Sequence, residues 1–285
     1  GLGGQYCKPN DSLAPLLERT PSHLSKTERQ RLALGSALLG QPRLLLLDDP
    51  LIVRDRSAKC EILPFLERIL QSLALPMIYI SHDITDIERL ADHLVMMKDG
   101  TVTAAGPLNV TQSDPALASR SEAAICLDTM VGGYDGRYGL VKLRLKSARF
   151  LIPAVPLRPG ARLRLRIAAG DVSIACEPPR ASSILNVFRA RITASLPHGD
   201  AEVTLVLTLE TGHSGVPLLA RITRRSFDAL RLSIGAEVFA EVARAVPLGL
   251  PSGGLQGLPH PHEHLGRLCL DARNTPARSR PSSIV

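Results

Sequence analysis

Two unbroken apolar runs constrain this chain more than any other feature. Leu44 to Leu47 ends in Asp48-Asp49-Pro50, and Met77 to Ile80 ends in Ser81-His82-Asp83. Runs this short and solid are the pattern of strands buried on both faces, as in α/β sheets covered by helices on each side. Polar residues at the carboxyl ends of such strands stand where an open α/β sheet holds its ligands. Ahead of the first run, Ser25 is a good helix N-cap, and Glu28 three residues later completes a capping-box pattern. The helix continues from Arg29 to Leu39, with Leu32, Leu34, Ala37, Leu38 and Leu39 as its apolar surface. A second helix is expected over Ser57–Leu73, with Ile62, Phe65, Leu66, Ile69 and Leu70 on one side. A short helix (Ile84–Ala91), a strand (Asp92–Met97), the turn Asp99-Gly100 and a returning strand (Thr101–Ala104) come next.

These pieces, in this order, resemble the second half of an ABC-transporter ATPase domain. Glu28-Arg29-Gln30-Arg31 matches the E-R-Q-R run after the family's signature loop. Leu44 to Pro50 matches the Walker B strand, and His82 matches the switch histidine. The resemblance implies that Asp48 holds Mg²⁺ through water, that Asp49 polarises the attacking water, and that His82 contacts the γ-phosphate of ATP. It implies that Ser25, Lys26, Thr27 and Glu28 face the nucleotide of an opposite subunit, although Lys26 and Thr27 stand where the family has glycines. Asp55 matches the end of the D-loop. No G-x-x-x-x-G-K-[ST] run occurs among the 285 residues. That loop supplies the nest of N–H groups and the lysine that cradle phosphates. The chain, which opens on Gly1, is therefore expected to be a truncated or degenerate copy, or to work beside a complete subunit. Whether it hydrolyses ATP is left open.

After a polar connector (Thr111 to Glu122) the pattern becomes alternating. Tyr138–Leu145, Phe150–Ile152, Arg162–Ile167 and Val172–Ala175 are separated by Gly132-Gly133, Pro153, Pro159-Gly160 and Gly170. Short strands at this spacing suggest a small barrel. A second set begins after Pro178-Pro179: Ser182 to Val187, Arg189–Leu196, Val203–Leu209, Leu218 to Ser226, a short helix Phe227–Leu230, and Glu237–Val246. This set resembles the Mop or TOBE domain of molybdate-importer ATPases, in its S-x-x-N run, its A-R-I-T-R-R-S segment and its later G-x-x-V-F-A-E-V. The resemblance implies molybdate as ligand, with Ser182, Ser183, Asn186, Thr223 and Ser226 as oxyanion-binding residues. Leu185 stands where related domains carry a basic residue.

The expected architecture is thus a partial α/β P-loop ABC domain followed by an all-β, OB-like barrel. Residues 1–110 are assigned to the ATPase part, 111–124 to a linker, 125–246 to the barrel and 247–285 to a disordered tail rich in Pro, Gly, Ser and Arg. The alternating His260, His262 and His264 in that tail are read as a chance cluster. The implied partners are membrane-spanning permease subunits and a second ATPase subunit, at the cytoplasmic face of the cell membrane. No apolar run approaches the roughly 20 residues needed to cross a bilayer. Five scattered cysteines without a C-x-x-C argue for a reducing compartment and against a metal site. The net charge of +7 comes mostly from arginines such as Arg162, Arg164 and Arg166, whose spacing is that of the solvated face of a sheet. With aromatics at 3% and no Trp, stacking platforms for single-stranded nucleic acid are not expected. Three rivals remain: a non-enzymatic oxyanion-binding module with a vestigial ATPase half, an ATPase for another importer, and a nucleic-acid binder resting on charge alone.

Overall fold

The computed structural model describes residues 20–50, 62–67, 69, 75–146, 148–210, 215–249 and 268–274. The side chains of Pro21, Lys26, Thr27 and residues 268–274 are not among those described. The sequence also suggests a short helix over Ser12–Arg19, with Leu13, Leu16 and Leu17 apolar; that stretch, the loop carrying Asp55, most of the Ser57–Leu73 helix and the three tail histidines lie outside the described residues. The chain divides into two compact units, residues 1–106 with 258–285, and residues 107–257. The first break between the units falls after residue 106, against the boundary at 110 expected from the sequence.

In the first unit, helix α1 (Lys26–Leu39) begins at a complete capping box. The Glu28 N–H donates to Ser25 Oγ at 3.1 Å, and the Ser25 N–H donates to Glu28 Oε2 at 2.8 Å. Strands β1 (Leu45–Asp48) and β2 (Met77–Ser81) pair in parallel, Leu45 with Met77 through Asp48 with Ile80. Both runs are strands, but β1 is not buried on both faces as expected. Leu45 is covered, whereas Leu46 on the opposite face is exposed. Helix α2 (Ile84–Leu90) is capped by Asp83, which accepts the Thr85 N–H at 2.9 Å. Its Arg89 forms a two-pronged ion pair with Glu67, at 2.5 and 3.1 Å, from the helical residues 62–67. Strands β3 (His93–Lys98) and β4 (Thr101–Pro107) come next, joined by the turn Asp99-Gly100, where both residues have positive φ.

Another correction concerns the tail. Leu268–Asn274, within the stretch expected to be disordered, is a strand (β15, the last among the described residues). It lies between β2 and β3 in the sheet order β1-β2-β15-β3-β4 and is parallel to both neighbours.

The second unit opens on two one-turn helices, α3 (Leu108–Thr111) and α4 (Pro115–Ala118), where a plain connector was expected. Asp114 caps α4 by accepting the Ala116 N–H at 2.9 Å. Gln112, between the two helices, is buried, and its Oε1 accepts the Cys126 N–H at 2.7 Å. The expected linker is thus bonded directly to Cys126 in the strand that follows it, Ala124–Asp135.

Ten strands build the rest of this unit: β5 (Ala124–Asp135), β6 (Leu140–Leu145), β7 (Ala148–Pro153), β8 (Arg162–Ala168), β9 (Val172–Ala175), β10 (Asn186–His198), β11 (Glu202–Leu209), β12 (Val216–Thr223), β13 (Glu237–Val242) and β14 (Val246–Leu248). They form two antiparallel sheets, in the orders β14-β8-β5-β6-β7 and β12-β11-β10-β13-β9. The sheets exchange strands. β9 leaves the first segment to pair with β13, and β14 returns from the second to pair with β8. Gly132-Gly133, expected to separate strands, instead lies inside β5, where the register shifts between Val131 and Gly133. Inward residues from both sheets share one core that includes Val131, Leu143, Phe150, Leu165, Ile192, Leu205, Leu218 and Ala240. At its edge, the rings of Phe150 and Phe188 meet at 4.5 Å. On β8, buried Leu163, Leu165 and Ile167 alternate with Arg162, Arg164 and Arg166. Arg164 pairs with Asp128 on β5 at 2.7 Å, so the arginine spacing is that of an outer sheet face.

Candidate functional site

The parallel sheet of the first unit builds a polar edge from the ends of β1 and β2. Asp48 is in register with Ile80, and the Asp49 N–H donates to the Ile80 carbonyl at 2.9 Å. The chain leaves β1 through Asp49 at φ 41°, a left-handed conformation that Asp tolerates better than most residues. Ser81 is buried, and its Oγ accepts the Asp83 N–H at 3.0 Å, which fixes the turn carrying exposed His82. Two carboxylates and an imidazole therefore stand on neighbouring strand ends, with Asp48 and His82 open to solvent. Carboxylates so placed are hard oxygen donors suited to a hydrated Mg²⁺. Gln30, in α1, donates from Nε2 to the Pro50 carbonyl at 2.5 Å and ties α1 to the segment leaving β1. The sequence motif contains Gln30, but the E-R-Q-R run alone carries no sign of this contact. The Ser25 hydroxyl is engaged by the Glu28 N–H, as a helix cap.

The five expected oxyanion residues are not brought together in this chain. Ser182 and Ser183 are exposed in the irregular segment before β10, where a strand was expected, and Ser182 Oγ accepts the Ile184 N–H at 3.1 Å. Asn186 opens β10 and is 8% exposed. Its amide is engaged at both ends by β7: Oδ1 accepts the Leu151 N–H at 2.7 Å, and Nδ2 donates to the Leu151 carbonyl at 3.0 Å. Thr223 and Ser226 lie at the other end of the sheet. Glu202 is in register both with His198, which closes β10, and with Thr223. Thr223 caps helix α5 (Arg224–Ala229), which begins three residues before the expected helix. Its Oγ1 accepts the Ser226 N–H at 3.1 Å, and the two hydroxyls are 2.8 Å apart. A shallow cleft beside them is lined by Ala201, Thr223, Arg224, Arg225, Asp228 and Ala229.

Arg221 is a residue that pattern reading passes over. From β12 it donates to the carbonyls of Ser121 at 2.5 Å, of Ala118 at 3.4 Å and of Arg120, and to Thr204 Oγ1 at 3.1 Å. His198 Nδ1 is 2.8 Å from the Ser119 carbonyl. Burial lowers the Arg221 pKa from its ordinary value, and Glu202 partly opposes this. Among the described residues no cluster of three or more His, Cys, Asp or Glu side chains forms a metal site, and no helix is long and apolar enough to cross a membrane.

Residues 182–245 match the TOBE domain family. The molybdenum import ATP-binding protein ModC of Rhodopseudomonas palustris (strain HaA2) is 55% identical over 232 residues, covering 81% of this chain and 62% of that protein. ModC 2 of Bradyrhizobium diazoefficiens is 53% identical over 243 residues, covering 85% of this chain and 27% of that protein. A solved structure of the cytoplasmic molybdate-binding protein ModG with molybdate bound aligns with a TM-score of 0.39 and 15% identity, over 44% of this chain and 95% of that one. The chain thus spans less than two thirds of the length of these ModC relatives. It is homologous over most of its own length to the molybdenum import ATP-binding proteins and carries a TOBE domain at its residues 182–245.

Proposed function

We propose that this chain is the Walker B, switch and TOBE portion of the ATP-binding subunit of a molybdate importer. The observation that carries the reading is 55% identity to a molybdenum import ATP-binding protein over 232 residues, most of this chain. In this reading Asp48 would hold Mg²⁺ through water, and the ion would offset charge on the nucleotide phosphates. Asp49 would orient the attacking water, and His82 would meet the γ-phosphate. Asp49 is one methylene shorter than the family's glutamate, and a displacement of that size can cost a large factor in rate. Ser25, Lys26, Thr27, Glu28 and Asp55 would face the nucleotide of a second ATPase subunit. Permease subunits would be the membrane-spanning partners, with the chain at the cytoplasmic face. Ser182, Ser183 and Asn186 are separated from Thr223 and Ser226 by the length of β10. An oxyanion held by both groups would therefore need two copies of the TOBE unit, which agrees with a dimer.

The test is calorimetric titration of the purified chain with molybdate and, separately, with Mg·ATP. Molybdate binding that Ser182→Ala/Ser183→Ala weakens at least tenfold, with no matching affinity for sulfate, is the expected result. No molybdate binding would overturn the oxyanion part. A second reading, an oxyanion-binding module with a vestigial ATPase half, is favoured by Lys26 and Thr27 in place of the family's glycines and by Asp49 in place of its glutamate. Molybdate binding without Mg·ATP binding selects it. ATP hydrolysis abolished by His82→Ala selects the first.

A further inference from the structure

The outer face of the sheet β14-β8-β5-β6-β7 carries a row of charge that the transport reading does not use. Met130 on β5 is in register with Arg162 on β8 and with Arg144 on β6, and Arg144 is in register with Arg149 on β7. Across four neighbouring strands the row therefore reads Arg162, Met130, Arg144, Arg149, and all four residues are exposed. With strands about 4.8 Å apart, it is about 14 Å long. Cations beside it are engaged: Arg164 pairs with Asp128 at 2.7 Å, Lys142 lies 3.7 Å from Asp135, and Arg166 donates to the Glu122 carbonyl at 3.1 Å. No ion pair or side-chain hydrogen bond ties Arg162, Arg144 or Arg149 to another residue among those described. Arg144 and Arg149 stand directly opposite each other, an arrangement that destabilises a strand pair when no anion comes between.

The row is also shaped. The bulge in β5 falls at Gly132, where the register against β6 shifts between Val131 and Gly133. A Cβ on Gly132 would stand 3.2 Å from Arg144 Cγ, 3.3 Å from its Nε and 3.4 Å from its Cδ. The Arg144 side chain therefore lies over β5, the strand that separates it from Arg162, in space that only a glycine leaves. Bulges commonly re-aim a side chain in this way. Guanidiniums present planar forks that match phosphate oxygens. Met130 between them brings no charge of its own. Several positive charges in line, with no carboxylate among them, call for a ligand whose negative charges are linked in series.

We propose that Arg162, Arg144 and Arg149 form a binding site for a phosphate chain, held over Met130, with Gly132 as the residue that positions Arg144. Free inorganic polyphosphate and the phosphates of a nucleotide offer the same chemistry. The site uses no residue of the first unit, so it stands or falls apart from the nucleotide site proposed there.

The test is calorimetric titration of the full chain with sodium tripolyphosphate, without Mg²⁺, at low salt. One tripolyphosphate per chain is expected. Arg144→Gln and Arg162→Gln should each weaken it about tenfold, as loss of a charge-assisted bond predicts. Both residues are exposed, so both variants should fold, and melting curves check this. Gly132→Ala leaves the charge unchanged and should still weaken binding at least threefold. Arg191→Gln removes an equal charge from β10, where Arg191 is paired with Glu237, and should leave binding unchanged. Added tripolyphosphate should slow hydrogen exchange over residues 140–151. ADP binding as tightly as pyrophosphate identifies the bare chain as the ligand, and ADP binding at least tenfold tighter identifies a nucleotide. Three results would overturn the site: no binding at millimolar tripolyphosphate, equal weakening by Arg191→Gln and Arg144→Gln, or protection confined to the first unit. Binding of duplex DNA without binding of tripolyphosphate would overturn it in favour of a nucleic-acid surface.

Discussion

Replacing Arg221 with Ala is expected to destabilise the second unit by about 2–3 kcal/mol. The guanidinium donates to three main-chain carbonyls at and just past the end of helix α4, and to the Thr204 hydroxyl. A hydrogen bond to a charged group contributes about 1.5–3 kcal/mol net in favourable cases. Simple addition over four bonds would exceed what one side chain can lose. The Ser121 carbonyl lies in an exposed turn and regains water, and the Ala118 bond is long at 3.4 Å. Two bonds, to the Arg120 carbonyl and to Thr204 Oγ1, therefore set the scale. Thr204 is fully buried, so its hydroxyl has no water to turn to. For a unit of about 150 residues this corresponds to a melting temperature lower by roughly 5–10 °C. Hydrogen exchange over residues 115–121 should accelerate, because these bonds hold the linker helix to β12. Arg221→Lys keeps the charge but not the planar fork, and should recover less than half of the loss. Burial favours the neutral form of Arg221 in the folded state. A base whose folded pKa is lowered gains stability only as pH rises through that pKa, and a guanidinium stays charged throughout the neutral range. The destabilisation should therefore be flat from about pH 6 to 9. An Arg221→Ala chain that melts within about 2 °C of the parent, with unchanged exchange at 115–121, would refute the anchoring role.

Asn186→Ala should cost about 2–3 kcal/mol, because it leaves the Leu151 N–H and C=O without the amide that pairs with both. Asn186→Asp should do no better, since its second oxygen would face the Leu151 carbonyl, and chemical denaturation of both variants decides. If Asn186→Ala instead left stability unchanged and abolished molybdate binding, the amide would be a ligand rather than a brace. Ser25→Ala should cost about 1 kcal/mol through loss of the N-cap, with Ser25→Asp restoring most of it, as measured by exchange rates along α1.

The parts of this fold legible in the sequence are those specified by local chemistry. The capping box at Ser25 and Glu28, the two solid apolar runs, and the alternation of Arg162, Arg164 and Arg166 with Leu163, Leu165 and Ile167 each carry their own period or end signal. Asp48 and His82 become neighbours because parallel strands in register end at the same edge, as the two run lengths already imply. The features that escaped reading depend on distant partners. Leu268-Cys269-Leu270 is too short an apolar run to stand out in a Pro- and Arg-rich stretch, and its pairing partners, β2 and β3, lie far back in the chain. Asn186 looks like a ligand from its place in a motif, yet a residue 35 positions away takes both ends of its amide. Gly132-Gly133 reads as a break, because a bulge and a turn ask for the same residue types.

The exchange of β9 and β14 between the two sheets bears on how the second unit responds to any ligand. Each sheet contains a strand delivered by the other's segment, so neither sheet can be completed or opened alone. Their inward faces also share one core, and Asn186 at the start of β10 is bonded to β7 across the sheet boundary. A contact at residues 182–186 therefore acts on a brace between the sheets, whereas a contact at Thr223 and Ser226 acts beside Arg221, which holds the α4 linker. Oxyanion binding at the first end would be felt as stiffening of the whole unit. At the second it would be felt two residues from the anchor of the segment that leads into the unit. Of the two, only the second places a ligand next to a group whose bonds reach the linker, so that is the end from which occupancy could be transmitted along the chain.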